Sequence, residues 1–383
     1  MKKSAVIAFF AVFFTLFGLI NAHIYFTWLR VIPYGSGLRP VYTVGYLLFA
    51  LSFVIGRVLE RRWISWVSTA FVWIGGFWLA AMLYLFLVSA AVDLLHVAAF
   101  VVPPFDYWMS SLDPASVRAM AVGITVLIVV ALIGGHINAF HPRIRTLRLT
   151  IDKPIHGGRL TIAMASDLHL GTIVGPARCE SIVAALNAMA ADIILLPGDI
   201  VDEDLAPVIR GNLGEKLLAL HAPLGVFAVT GNHEYIGGVE PAVRYLRDHG
   251  IRMLRDEVVN LSCGVTLVGR EDRSAGMAGV ERKSLADLVG GIDPARPIIL
   301  MDHQPFHLEE AAEAGVDLQL SGHTHHGQLW PLNAITKAVY EKSWGYLRKE
   351  KTHFYVSCGV GTWGPPVRTG HRPEIVKIVL ETA

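Results

Sequence analysis

The sequence predicts a chain in two parts: four transmembrane helices, then a layered α/β domain. Three observations support this. First, the 33 basic and 32 acidic residues are unevenly spread, with only about a dozen before residue 140. Second, that charge-poor part holds four long apolar runs. Third, from about Leu147 short β-rich runs alternate with helical patterns, as in a layered α/β fold. We place a transmembrane domain at 1–142 and a globular domain at 143–383.

Taken in order, the first run is Ser4–Ala22, behind Lys2 and Lys3. A cleaved signal peptide begins the same way. This run is long, lacks a clear small-x-small cleavage site and is followed by further runs, so we read it as an uncleaved span. Val41–Gly56, Trp66–Val92 and Val117–Phe140 follow. Helices are expected at about 4–24, 41–59, 66–92 and 117–140, each long enough for a hydrocarbon core of ~30 Å. Trp28, Trp63, Trp66, Tyr107 and Trp108 fall near the span ends, like an aromatic belt.

Four spans put both termini on one side, and positive charge selects it. Lys2, Lys3, Arg57, Arg61, Arg62, Arg143, Arg145 and Arg148 lie on the side of the termini. The opposite loops carry Arg30, Arg39 and Arg118 beside Asp93, Asp106 and Asp113. The expectation is a multi-pass protein of the cytoplasmic membrane with its globular domain in the cytoplasm. His23, Asp93, His96, His136 and Asn138 near the span ends read as interfacial residues or as the lining of a headgroup pocket.

A formal net charge of +1 gives no sign of a nucleic-acid partner. The three cysteines form no CxxC pair and no disulfide framework, in keeping with a reducing compartment. Nothing in the sequence sets an oligomeric state.

In the globular part, the strand in "RLTIAMASDLH" ends at Asp167 and His169. The helix "CESIVAALNAMAAD" leads to "IILLPGD", ending at Asp199, and "LGVFAVTGNHE" ends at Asn232 and His233. The helix "PAVRYLRDHG" and two strands around a turn in "VVNLSCGVTLVGRED" come next. "RPIILMDH" ends at His303, and after the helix "LEEAAEAG" the strand in "VDLQLSGHTH" runs to His323 and His325. "THFYVSCGVG" and "PEIVKIVLE" close the domain. Ligand sites of layered α/β folds collect at the carboxyl ends of strands, so these five ends can converge.

Together Asp167, His169, Asp199, Asn232, His233, His303, His323 and His325 offer carboxylate, imidazole and amide donors and no thiolate. Such a set suits Mn, Fe, Zn or Co. It exceeds the needs of one ion and suits two, ~3.5–4 Å apart, clamping a phosphoryl displacement.

The ordered set D-x-H, G-D-x-x-D, G-N-H-E, a strand-end His and G-H-T-H resembles that of the calcineurin-like metallophosphoesterases. The likeness covers roughly Ile144 to Leu380. It includes the tail "GVGTWGPPVRTGHRPEI", similar to the ending of the family's bacterial membrane-associated branch. The resemblance implies a layered αββα domain. It also implies one metal on Asp167, His169, Asp199 and His325, and a second on Asn232, His303 and His323, with Asp199 bridging. His233 would be the catalytic histidine. Glu234 stands where many relatives have Asp and would orient His233 or a ligand, and Asp202 would serve its loop or support the site. Asp302 would point away from the site, while His307 and Asp317 read as surface. Arg368 and His371 would meet a phosphate or remain in solvent. His326 replaces a common Gly and would line the rim of the site.

The expected function is a membrane-anchored phosphoesterase with two divalent ions, Mn first among the candidates. It would cleave a phosphodiester or pyrophosphate bond by attack of metal-bound hydroxide. By analogy, the substrate would be lipid-linked or nucleotide-linked, such as UDP-2,3-diacylglucosamine. The alternatives are an anchored phosphatase acting on soluble phosphoesters, or a non-enzymatic or regulatory membrane protein with this fold. Ala334–Lys351 mixes aromatic, apolar and basic residues, as a segment lying on the membrane or covering the site would.

Overall fold

The computed structural model describes residues 3–102, 104, 107 and 111–383. Lys2, Asp106 and Trp108, which entered the topology argument, lie outside the described residues. The chain divides into two units. One comprises Met1–His136 with Gly364–Val367, and the other Ile137–Trp363 with Arg368–Ala383.

In the first unit, four described helices are long and apolar enough to cross a membrane. They are α1 (Lys3–Leu29), α2 (Leu38–Arg62), α3 (Trp66–Val101) and α4 (Pro114–Ala139). The first three overrun the expected limits, and α4 begins ahead of its expected start at 117. At 1.5 Å per residue α3 is about 54 Å long, well beyond a core of ~30 Å. Helical hydrogen bonding does not require apolar side chains, so hydropathy locates the run rather than the helix end.

Two features join α1, α2 and α3. Asn21 of α1 accepts from Tyr46 Oη at its carbonyl oxygen, 2.7 Å, and from Trp78 Nε1 at its side chain, 3.2 Å. Such interhelical bonds satisfy polar groups inside a bilayer. In addition, α3 approaches α2 closely at Gly75, where a Cβ would lie 2.5 Å from Phe53 Cα. The polar residues singled out near the span ends do not form one cluster. His23 pairs with Asp93 at 3.3 Å, while His96 turns back to the carbonyl of Val92.

In the second unit, one sheet has the order β1-β12-β2-β3-β4-β5. Its strands are β1 (Arg143–Ile151), β2 (Arg159–Met164), β3 (Ile193–Pro197), β4 (Val226–Val229), β5 (Arg252–Met253) and β12 (Glu374–Thr382). The other has the order β10-β11-β9-β8-β7-β6. It contains β6 (Glu257–Asn260), β7 (Thr266–Gly269), β8 (Ile298–Met301), β9 (Leu318–Ser321), β10 (Gly345–Lys349) and β11 (Thr352–Val356). Leu160, Ile162 and Met164 of the first sheet pack with Leu267, Ile299 and Leu320 of the second. The helices α5 (Pro176–Asn187) and α9 (Val239–Asp248) cover the outer face of the first sheet. The helices α10 (Leu285–Val289) and α11 (Leu308–Glu313) cover that of the second. This is the αββα layering expected from the resemblance.

The central strands β3, β4, β8 and β9 are buried along their whole length; β3, β4 and β8 read as unbroken apolar runs, while β9 also buries Gln319 and Ser321. β2 runs parallel to β3 and β3 to β4, and likewise β7, β8 and β9 are parallel neighbours. The carboxyl ends of each set therefore share an edge. The strand β1 was not anticipated. Its "RIRTLRLTI" alternates polar and apolar residues on a half-exposed edge, a weaker signal than a buried run. Asp317 is not a surface residue as expected; it is buried and accepts from Lys153 Nζ at 2.8 Å and the Ile298 amide at 2.7 Å.

Gly75→Val should loosen the α2–α3 pair by roughly 1–3 kcal/mol, the usual cost of overpacking. Thermal unfolding of the full-length protein in detergent, followed by tryptophan fluorescence, would read the lower midpoint.

Candidate metal centre

The eight singled-out residues come together at the ends of five strands. Asp167 and His169 follow β2, and Asp199 follows β3. Asn232 and His233 open the short helix α8 (Asn232–Gly237) after β4, His303 follows β8, and His323 and His325 follow β9. Asp167, His169, Asp199, His323 and His325 all have φ between 46° and 71°. This left-handed backbone costs a non-glycine residue ~1–3 kcal/mol and concentrates at functional sites. Two motif glycines make room for the carboxylates: a Cβ at Gly231 would fall on Asp199 Oδ1, and one at Gly322 would lie beside Asp167 Oδ2.

Asp199 lies at the middle. Its Oδ2 is 3.1 Å from His303 Nε2 and 3.8 Å from His169 Nε2, while its Oδ1 accepts from the His233 amide at 2.9 Å. On one side, His169 Nε2 meets His325 Nε2 at 2.9 Å, and His325 Nε2 is 3.6 Å from Asp167 Oδ1. On the other side, His323 Nδ1 lies 2.8 Å from Asn232 Oδ1. Donor atoms converge within 4.8 Å in three groups: Asp167, His169 and His325; His169, Asp199 and His233; and Asp199, His303 and His323. All three groups mix oxygen and nitrogen donors, as suits borderline divalent ions. The His303 ring is oriented by its Nδ1–H, which donates to the Pro197 carbonyl at 2.8 Å and directs Nε2 at Asp199.

The electrostatics show what the cluster needs. Burial pushes the Asp167 carboxyl up. Burial acts on Asp199 in the same direction, but the His303 and His233 charges outweigh it and hold Asp199 well below the carboxylate range. Burial opposes charge on His303, yet Asp199 drives it well above the usual imidazole value. His233 is likewise opposed by burial and raised to about 9 by Asp199 and Asp202. His323 is pushed down to about 3 by burial and the His303 charge, and His325 well below its usual value by burial and His169. Two buried carboxylates thus face imidazoles that cannot all be protonated, a charge problem that divalent ions resolve.

A family model described as calcineurin-like phosphoesterase matches residues 160–327. An uncharacterized metallophosphoesterase of Aquifex aeolicus is 32% identical over 251 residues, 64% of this chain and 94% of that protein. The chain belongs to the calcineurin-like metallophosphoesterases. One of Campylobacter jejuni is 26% identical over 369 residues, 96% of each chain. A transmembrane protein with a metallophosphoesterase domain from Bos taurus is 32% identical over 298 residues, 72% of this chain and 66% of that one.

Several neighbours in this metallophosphoesterase depart from their expected places. His326 does not line the rim. It is buried, with Nδ1 3.0 Å from Ser343 Oγ and its ring against Trp344 and His371. Its φ of 45° explains why glycine is common at this position. Arg368 is fully buried; it donates from Nη2 to the Cys358 and Gly361 carbonyls at 2.8 Å each and lies 3.1 Å from His325 Nδ1. Arg368, committed to these carbonyls, is not free to meet a phosphate. The His371 ring is tilted against Trp344 and edge-on to His326. Asp302 does point away, pairing with Arg282 at 2.6 Å and Arg270 at 3.2 Å.

Asp202 and Glu234 support the site. Asp202 Oδ1 lies 3.1 Å from His233 Nδ1 and 3.4 Å from His169 Nδ1. Glu234, fully inside, accepts from the amides of Asp199, Ile200, Val201 and Gly231 at 2.7–3.2 Å. It fixes the loops that carry Asp199 and Asn232 rather than any side chain. Trp363, unforeseen in the sequence, sets its ring edge-on to His233, 5.8 Å between centroids.

Glu234→Ala should leave four backbone donors without their acceptor and cost about 3 kcal/mol or more. Denaturant unfolding of the metal-free protein would read it. An unchanged midpoint would show that the loops hold without the carboxylate.

Proposed function

We propose that this chain is a membrane-anchored phosphoesterase that uses two divalent ions, Mn first among the candidates. It hydrolyses a phosphodiester or pyrophosphate bond. The observation that carries the reading is Asp199, whose carboxylate stands between His169 and His303 and so can serve two ions at once. Asp167, His169 and His325 complete one ligand set with Asp199, and Asn232, His303 and His323 complete the other. When bound, two such ions make hydroxide available near neutral pH and neutralise phosphoryl oxygens.

His233 supplies the proton chemistry. Its Nδ1 faces Asp202, which fixes the tautomer and leaves Nε2 to protonate the departing oxygen. One P–O bond forms to the water-derived oxygen and one breaks to the leaving group. The globular domain begins directly after α4, which supports a substrate drawn from the membrane: a nucleotide-linked or isoprenoid lipid, with UDP-2,3-diacylglucosamine as one candidate. Excess Lys and Arg near the termini supports a cytoplasmic-membrane protein with its catalytic domain on the cytoplasmic face.

Chelation should abolish hydrolysis and added Mn should restore it; activity that survives the chelator would contradict the ion requirement. Asp199→Ala should remove detectable turnover. His233→Asn should keep both ions by elemental analysis yet lower kcat by about 10²–10⁴-fold. Assays should set soluble nitrophenyl esters against nucleotide-linked lipids. Equal use of both would leave the spans as an anchor only.

In intact cells, a cysteine label on the globular domain should be shielded from impermeant reagents. Ready labelling would reverse the proposed orientation.

A further inference from the structure

The helix α12 (Asn333–Val339) buries none of its residues. A helix this short is marginal in water unless a face is packed. Its exposed face is apolar: Ala334, Ile335, Ala338 and Val339, with Ile335 59% and Val339 56% exposed. Residues four apart lie side by side on a helix, so Ile335 and Val339 form one stripe. Lys337 is exposed on the same helix. Just before it in the chain, Trp330 is 59% exposed. Apolar and aromatic groups with a flanking lysine are the composition of an interfacial membrane helix.

Hydrogen bonds tie this segment to the place where the chain leaves α4. Asn138, in the last turn of α4, donates from Nδ2 to the carbonyls of Arg368 and His371 at 2.8 and 3.0 Å. Thr369, next to Arg368, accepts at Oγ1 from the Trp330 amide at 3.0 Å, and its own amide donates to the Gln328 carbonyl at 3.2 Å. Gln328 in turn holds Trp363 at both backbone groups, 3.0 and 3.1 Å. Trp330 and Trp363, both more than half exposed, are thus linked through Gln328, Thr369 and Arg368 to Asn138.

We propose that Trp330, Ile335 and Val339 form a membrane-contact surface that enters the headgroup layer of the bilayer beside the metal centre. The stripe leads to the centre through Tyr340, the residue after α12. The Tyr340 ring stands edge-on to His323, 6.0 Å between centroids, and packs on Phe306. The surface rests on the membrane-anchored reading above but not on hydrolysis.

The test uses full-length protein in nanodiscs of phosphatidylethanolamine and phosphatidylglycerol. Cys263→Ser removes the one cysteine that is not buried. An environment-sensitive fluorophore is then placed on Ile335→Cys and, as a control, on Val258→Cys of β6, exposed on the edge of the second sheet. The Ile335 label should emit further to the blue. Lipids spin-labelled near the headgroup should quench it several-fold more than the Val258 label, and aqueous iodide several-fold less. Equal behaviour at the two positions would overturn the proposal. So would an Ile335 label shielded from iodide yet untouched by spin-labelled lipid, which would indicate protein cover such as a second copy. Insertion without hydrolysis would remove the proposed reaction and keep the surface; hydrolysis with Ile335 in water would do the reverse.

Discussion

Two buried carboxylates, crowded among imidazoles that cannot all be protonated, are the constraint on which the catalytic half depends. Asp167 and Asp199 sit inside the fold among imidazoles. Removing a charge from water costs several kcal/mol unless it is paired. The fold meets that cost by bringing in donors from both sheets, so the metal centre and the sandwich are coupled. His303 and His323 come from the second sheet, and Asp199 and Asn232 from the first. The left-handed backbone at five of these residues is a further local cost. It is held in part by Glu234, whose one carboxylate gathers the amides of two loops.

How much of this is legible in sequence depends on what each residue does. Chemistry-bearing residues at the ends of apolar strands are legible, because a fully buried parallel strand reads as an unbroken run and the polar residue after it stands out. All eight predicted site residues met in this way. Residues that act on the backbone are less legible. Glu234 was expected to orient a side chain, but it caps amides, which no spacing rule shows. His326 is chemically like its neighbours His323 and His325. It differs in direction, with its ring against Trp344 and His371. Arg368 shows the same limit: an arginine in a Gly- and Pro-rich tail reads as exposed, and only three-dimensional packing reveals that it is fully buried.

The membrane half was legible for a different reason. Hydropathy averages over many residues, so the four apolar runs stand out even though the helix ends do not. Single polar residues within the runs escape that average. Asn21 reads as an isolated polar residue in α1, yet it receives hydrogen bonds from Tyr46 of α2 and Trp78 of α3. A buried amide of this kind specifies which helices meet, something a wholly apolar face does less well.

One stretch carries both halves of the functional argument. Within Ser321–Val339 the chain passes from a buried strand end, through His323 and His325 at the metal centre, to Trp330 and the unpacked stripe of α12. The left-handed residues His325, His326 and Gly327 turn the chain sharply there. Tyr340, directly after α12, sets its ring edge-on to His323. The metal-ligand positions and the exposed apolar stripe are thus separated by little chain.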